Sequence, residues 1–542
     1  MKIRFCGAAR SVTGSCHMIT FEGGSILVDC GMRQGEDAHT DYGEGDFPFI
    51  PSDIKALLIT HAHIDHTGMV PLLVKRGFNG PIFSTEATAK LCGIMLPDSA
   101  HIQEQDAEYQ NRKNERAGKP LVEPLYTAQD AENSLRLFKG VRYDSIIQIC
   151  PGVEARFTDV GHLLGSAAIE VWVTEGGKKT RIVFSGDIGR DDRPIIKDPE
   201  SPEGADYLVL ESTYGDRLHS TERPDYIAGL AEVIQETFAE ILREGIARGG
   251  NIVIPAFAVG RTQELLYYIK RFLVNGTVPG LEKVPVYIDS PLGIKATRIY
   301  AGCGADCYDD ETKALARSGD LFEFDSLHIA ETVEQSMEIN DLEGCNIIIS
   351  ASGMCEAGRI RHHLKNNLYK ANATVVFVGY QAVGTLGRII IDGAKKVKIL
   401  GVQVIINAAI KQIEGFSGHA DQSELLEWVS EIPETPKKIF LVHGEDKAIN
   451  ALKGKLQEKG YSIEVPEMFE EFDLGTGEVY ATATKKVTEA AKQRRQQAAD
   501  IRASLKRLIF AATELLSAEP DRAKDMEEDI GGLADRMEKL VK

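Results

Sequence analysis

Three histidines and an aspartate fall within six residues of one short stretch, "THAHIDHTG": His61, His63, Asp65 and His66. The whole chain has only 13 histidines. In an extended segment residues i and i+2 point the same way, so His61 and His63 can reach one ion from a strand end. Asp65 and His66 then fall in the next turn, displaced enough to serve a second ion. A helical HExxH behaves differently, since its i and i+4 histidines converge on one zinc. Imidazole and carboxylate together suit Zn²⁺, with Mn²⁺ or Fe as poorer fits. Two ions need further ligands. His162 in "DVGHLLGSA" and Asp187 in "VFSGDIGR" each end an apolar, strand-like stretch beside glycine. A single histidine near glycine is more often structural, but several metal-type residues ending strands in one chain shift that balance.

The elements that must position these residues are legible in outline. "IKALLIT" before His61 is an apolar, β-branched run and reads as a buried strand. Short strand signals fill residues 2–29, and they return around "VEARFTDV", "AAIEVWVTE" and "TRIVFSGD". From about residue 216 the pattern becomes alternating helix and strand, as in "NIVIPA" followed by "GRTQELLYYIKRFLV". That alternation argues for a parallel-sheet α/β unit. Near residue 386 the strand-rich character returns. Residues 485–542 read as two helical runs broken at "SAEPD", with an apolar stripe through Ile501, Leu505, Ile509 and Leu515.

At 542 residues the chain is too long for one ordinary domain. No apolar run approaches the roughly 18 residues of a membrane span, and the opening residues lack the apolar core of a signal peptide. Nine scattered cysteines without a CxxC pair suggest reduced thiols and a cytoplasmic setting. The net charge of −19 counts against a nucleic-acid partner. It does not exclude one, because the field in a cleft depends on local groups and bound cations.

Taken together, "HAHIDH", the later single histidine and "SGD" resemble the metallo-β-lactamase fold superfamily. The resemblance implies that His61, His63 and His162 hold one ion, that Asp65 and His66 hold the other, and that Asp187 bridges them. Asp29 in "LVDCG" would orient a ligand histidine through a hydrogen bond. Three later stretches narrow the match: "LVLESTYGDRLH" with Glu211, "EGFSGHADQSEL" with His419 and "KIFLVHGE" with His443. They are similar to the motifs of the β-CASP nuclease branch, which includes ribonuclease J and the endonuclease of pre-mRNA 3′-end processing. A histidine at the place of His443 resembles the RNA-cutting members and would complete the second ion's ligands.

The resemblance implies an α/β fold: an αββα sandwich from residues 1–210 and 386–480, a β-CASP domain over 211–385, and a helical extension over 481–542. It implies two Zn²⁺ per chain, an RNA substrate, no membrane association and a homodimer. The catalytic roles would fall to Asp65, Asp187, Glu211 and His419. Arg261 and Arg359 stand near helix starts, where anions bind readily, and with Ser352 they are expected to bind phosphate. Two other readings stay open: a small-molecule metallo-hydrolase of the same fold, and a non-catalytic scaffold for RNA processing. The first has no need of Glu211, His419 or an inserted domain; the second would usually have lost ligands.

Overall fold

A computed structural model describes residues 1–33, 47–219, 230–303, 307–319, 321–382, 384–413, 415–476 and 479–480. Residues 1–480 form one compact unit. The expected helical extension lies outside the described residues.

Two sheets pack face to face. The first has eight strands, and at its centre lie Lys2–Phe5, His17–Phe21, Gly24–Val28 and Ile54–Leu58. The second has seven, including Val153–Asp159, Ala167–Glu175, Lys178–Phe184, Tyr207–Leu210 and Lys438–Leu441. Strand alternation explains the packing. In Ala167–Glu175 the residues Ala167, Ile169, Val171 and Val173 face the other sheet, where they meet Phe5, Ile19, Val28 and Leu58. Ala168, on the opposite face, sits under helices Gln422–Ser430 and Asp446–Glu458 with Leu425, Trp428 and Leu452. Helices Val70–Lys75, Glu86–Arg116 and Ala128–Leu135 cover the outer face of the first sheet. The result is the αββα sandwich expected from sequence.

Between Leu210 and Lys438 the chain builds a third sheet of six strands. Its spatial order is Leu327–Ile329, Val286–Ile288, Ile347–Ser350, Ile252–Pro255, Thr374–Phe377, Ala409–Gln412, all parallel. The central strands are buried along their whole length, as both-face burial requires. This sheet runs on to Gln412, past the boundary at 385 expected from sequence. Lys396–Ile399 and Val402–Ile405 form a separate hairpin. An apolar run shows that a strand forms, but not which sheet edge receives it.

The topology sets the site. Val153–Asp159 and Lys178–Phe184 both run antiparallel to Ala167–Glu175, and Lys178–Phe184 is parallel to Tyr207–Leu210, which is parallel to Lys438–Leu441. Four carboxyl ends therefore share one sheet edge. His162, Asp187, Glu211 and His443 follow within three residues of those ends. No described helix is long and apolar enough to cross a membrane.

Candidate metal centre

The first sheet contributes the "HAHIDH" stretch from beyond the end of Ile54–Leu58. His61 is fully buried, His63 caps the one-turn helix Ile64–Thr67, and Asp65 and His66 lie in that turn. Cys30 N donates to His66 O and Ser15 N to Asp65 O, which locks the turn to its neighbours. Across the gap between the sheets, the second sheet supplies the remaining groups.

Seven side chains converge there in two sets. In the first, His61 Nε2 lies 3.0 Å from His63 Nδ1, and His162 Nε2 lies 3.2 Å from that same nitrogen. Asp187 Oδ2 is 3.5 Å from His61 Nε2 and 3.7 Å from His162 Nε2. In the second, His66 Nε2 is 3.3 Å from His443 Nε2, which is 3.5 Å from Asp65 Oδ2. Asp187 Oδ1 stands 3.2 Å from His66 Nε2. Asp187 thus directs one oxygen to each set.

The arrangement fits metal ions. Tetrahedral Zn²⁺ with ligands at ~2.0–2.1 Å places its donors about 3.3 Å apart, close to the spacings here. Asp187 Oδ1 is buried without a well-directed hydrogen bond, and each imidazole can turn a lone pair toward a shared ion. Burial pushes the basicity of His61, His63 and His162 down, so they stay neutral, as ligands must. Burial also opposes protonation of His66 and His443. There the carboxylates outweigh it: Asp187 and Asp29 raise His66 well above its usual range, and Asp187 and Asp65 raise His443. Burial likewise opposes ionisation of Asp187, yet the His443, His66 and His61 imidazoles hold it well below the usual carboxylate range. The second set therefore attracts positive charge, which protons or a dication can supply.

The far nitrogens of the rings are also held. Asp29 Oδ2 is 2.7 Å from His66 Nδ1, and Asp29 in turn accepts from Thr60 N and its hydroxyl. Thr60 Oγ1 is 3.1 Å from His61 Nδ1, the Gly418 carbonyl 2.9 Å from His162 Nδ1, and Thr213 Oγ1 3.0 Å from His443 Nδ1. Such partners fix ring orientation and tautomer. Thr60, Thr213 and Gly418 carry no metal-type signal in the sequence, and only the folded chain identifies them.

His419 lies beside the centre rather than in it. Its Nδ1 is 3.3 Å from Glu211 Oε2 and 3.9 Å from Asp187 Oδ2, and its side chain is 20% exposed. Burial works against its charge, but Glu211 and Asp187 prevail and raise it to about 9. Glu211 also accepts from Ile188 N, so it pins the loop carrying Asp187 as well. His219, which the sequence leaves without a partner, donates from Nε2 to the His419 carbonyl at 2.8 Å, and the Tyr214 ring packs edge-on against His419.

The two arginines expected to hold phosphate are turned inward. Arg261 is buried, pairs with Glu264 one helical turn on, and donates to the Phe416 carbonyl. Glu264 also receives Arg193, whose Nη1 donates to the carbonyls of Gly161, His162 and Gly418. Arg359 donates to Asp289 at 2.7 Å and to the carbonyls of Ala330 and Glu331. Their placement near helix starts serves internal carboxylates and carbonyls. Ser352 lies half-buried in the loop after Ile347–Ser350.

Comparison with known proteins agrees with this architecture. The metallo-β-lactamase superfamily matches residues 10–144, the β-CASP domain residues 262–390, and the Zn-dependent metallo-hydrolase RNA specificity domain residues 403–466. The chain is 35% identical over 464 residues to "Ribonuclease TTHA0252" of Thermus thermophilus, covering 85% of this chain and 97% of that one. It is 29% identical to "Transcription termination factor FttA" of Methanosarcina mazei, over 85% of this chain and 69% of the relative. A crystal structure of a protein of unknown function from Enterococcus faecalis V583 shares the fold, with a TM-score of 0.50 at 13% identity over 87% of this chain and 99% of that one. The chain is a metal-dependent hydrolase and belongs to the β-CASP ribonuclease family of the metallo-β-lactamase superfamily.

Proposed function

We propose that this protein hydrolyses RNA phosphodiester bonds at a two-zinc centre, with a role in RNA processing or decay. The observation that carries the reading is Asp187, whose two oxygens face two separate donor sets while the His419–Glu211 pair stands alongside. His61, His63, His162 and Asp187 would hold one ion; Asp65, His66, His443 and Asp187 the other. When bound, two dications neutralise phosphate charge and lower the pKa of an attacking water. RNA as substrate is supported by the ribonuclease and termination-factor names of the relatives and by the histidine at position 443.

The chain's own groups then divide the work. Asp187 orients the attacking water from its position between the donor sets. In-line displacement breaks the bond from phosphorus to the 3′-oxygen, and that oxygen needs a proton as it leaves. His419, kept cationic by Glu211, is the donor, and it is exposed enough to meet substrate. His219 and Tyr214 hold its backbone and ring in place. The products are a 5′-phosphate and a 3′-hydroxyl. The test is product mapping on 5′-monophosphate, 5′-triphosphate and circular RNA, with zinc content measured on the same sample. Cleavage of circular RNA identifies an endonuclease, and dependence on a 5′-monophosphate identifies a 5′-exonuclease. Failure to cut any of the three at full zinc loading refutes the reading.

A further inference from the structure

With Arg261 and Arg359 turned inward and a net charge of −19, the inserted domain must hold a nucleic acid by something other than those guanidiniums. What its loops expose is aromatic. Strands Ile347–Ser350, Ile252–Pro255 and Thr374–Phe377 are neighbours and parallel, so their carboxyl ends form one rim. In open α/β sheets ligands gather at such rims, above all where the strand order reverses. Ile252–Pro255 stands at that reversal here, because the chain continues first to one side of it and later to the other.

Phe257, two residues past Ile252–Pro255, is 49% exposed; Tyr380, three past Thr374–Phe377, is 50% exposed. Single exposed apolar residues are ordinary on protein surfaces; these two rings differ in standing on neighbouring loops tied to one glycine. The Phe257 ring is anchored: it lies over Gly353, where an added Cβ would come within 3.1 Å of Phe257 Cδ2. Gln381 Nε2 donates to the Gly353 carbonyl at 3.0 Å, which ties the Tyr380 loop to the same point. The rim also abuts the metal centre. Gly260, at the end of the Phe257 loop, would place a Cβ 3.3 Å from Leu163 Cδ1, and Leu163 adjoins His162.

We propose that Phe257 and Tyr380 form a stacking platform for unpaired nucleobases next to the scissile phosphate. The proposal rests on the ribonuclease reading above. Every base has a π face, so such a platform tolerates sequence but requires unstacked, single-stranded RNA. Paired bases in a duplex cannot reach it. Stacking of one base is worth roughly a 5- to 150-fold change in affinity.

The test uses the zinc-loaded protein and fluorescently labelled single-stranded oligoribonucleotides, with affinity read by anisotropy and cleavage by kcat and KM. Phe257→Ala and Tyr380→Ala are each expected to weaken binding and raise KM on the order of tenfold, with zinc content unchanged. Phe257→Trp and Tyr380→Phe are expected to retain affinity. An abasic ribose walked along the oligonucleotide should, at one position, weaken the wild type as much as Phe257→Ala does, and should weaken that variant no further. Wild-type affinity in both alanine variants, or losses that add fully at every abasic position, would overturn the proposal. A wild-type protein that binds but never cuts RNA refutes the ribonuclease reading, while the anisotropy arm still decides the platform.

Discussion

Replacing Glu264 by Gln removes the carboxylate that Arg193 and Arg261 share, in a cluster where Arg190, Arg193 and Arg261 are 3%, 7% and 9% exposed. Glu264 stays ionised there, because Arg193 and Arg261 overcome the cost of its burial. Breaking a buried ion pair from one side costs about 3–5 kcal/mol, since the remaining charge is left uncompensated. Two guanidiniums lose their partner, which argues for the upper end. Glutamine keeps one acceptor oxygen, worth about 1 kcal/mol. The expected loss is therefore about 4 kcal/mol, a large share of the 5–15 kcal/mol that typically separates folded from unfolded protein. Urea titration checks it, followed by fluorescence of the two buried tryptophans, Trp172 and Trp428, and by circular dichroism to test whether the transitions coincide. A second change, Arg261→Met, should recover part of the loss in the double variant, because it removes surplus charge. A loss below about 1 kcal/mol, or strictly additive variants, would refute the view that this carboxylate neutralises the cluster. The rate of RNA cleavage should fall as well, because Arg193 also holds the Gly418 and His162 carbonyls.

Three further outcomes follow from the site. His63→Ala or Asp187→Ala abolishes cleavage of a 5′-labelled single-stranded RNA while circular dichroism shows a folded protein; undiminished cleavage in both would sink the assigned centre. His419→Ala keeps two zinc ions by elemental analysis and loses roughly 10²–10⁴-fold in rate, the usual range for a general acid; a lost ion would make His419 a ligand. Asp159 is buried, and burial raises its carboxyl to about 7. Its folded pKa therefore exceeds the unfolded one, so stability is fully present below about pH 4 and is lost as pH rises through 7. Asp159→Asn should accordingly gain on the wild type by on the order of 3 kcal/mol between pH 5 and pH 8, and an equal difference in unfolding free energy at both pH values would contradict the argument.

The legible parts of this molecule are those whose signals are local. The i, i+2 spacing of His61 and His63, the turn that displaces Asp65 and His66, and the glycine beside Asp187 all act within a few residues. Burial on one face or both writes itself into apolar patterning, so the strands could be anticipated, while the αββα layers were implied by the family resemblance. What escaped depends on distant partners. His219 meets a carbonyl two hundred positions away, and Arg359 finds Asp289 seventy positions back, just past the end of a strand. Ala409–Gln412 has the composition of a strand in either sheet, and only the packing of the whole chain assigns it to the inserted one. Phe257 reads as one more apolar residue until the fold leaves it half exposed.

The order in which the strands join has a consequence for synthesis. Lys2–Phe5 pairs with Glu471–Asp473, and Tyr207–Leu210 with Lys438–Leu441, so each sheet of the sandwich gains its last strands from chain made more than two hundred residues later. Such long-range pairing closes slowly, since the loop entropy must be overcome before contacts stabilise it. His419 and His443 arrive with that late segment. A ribosome making this protein holds its own message and RNA within reach of the nascent chain throughout. The fold's sequence order keeps that chain from assembling the donor set that includes His443 until nearly all of the first 480 residues have emerged.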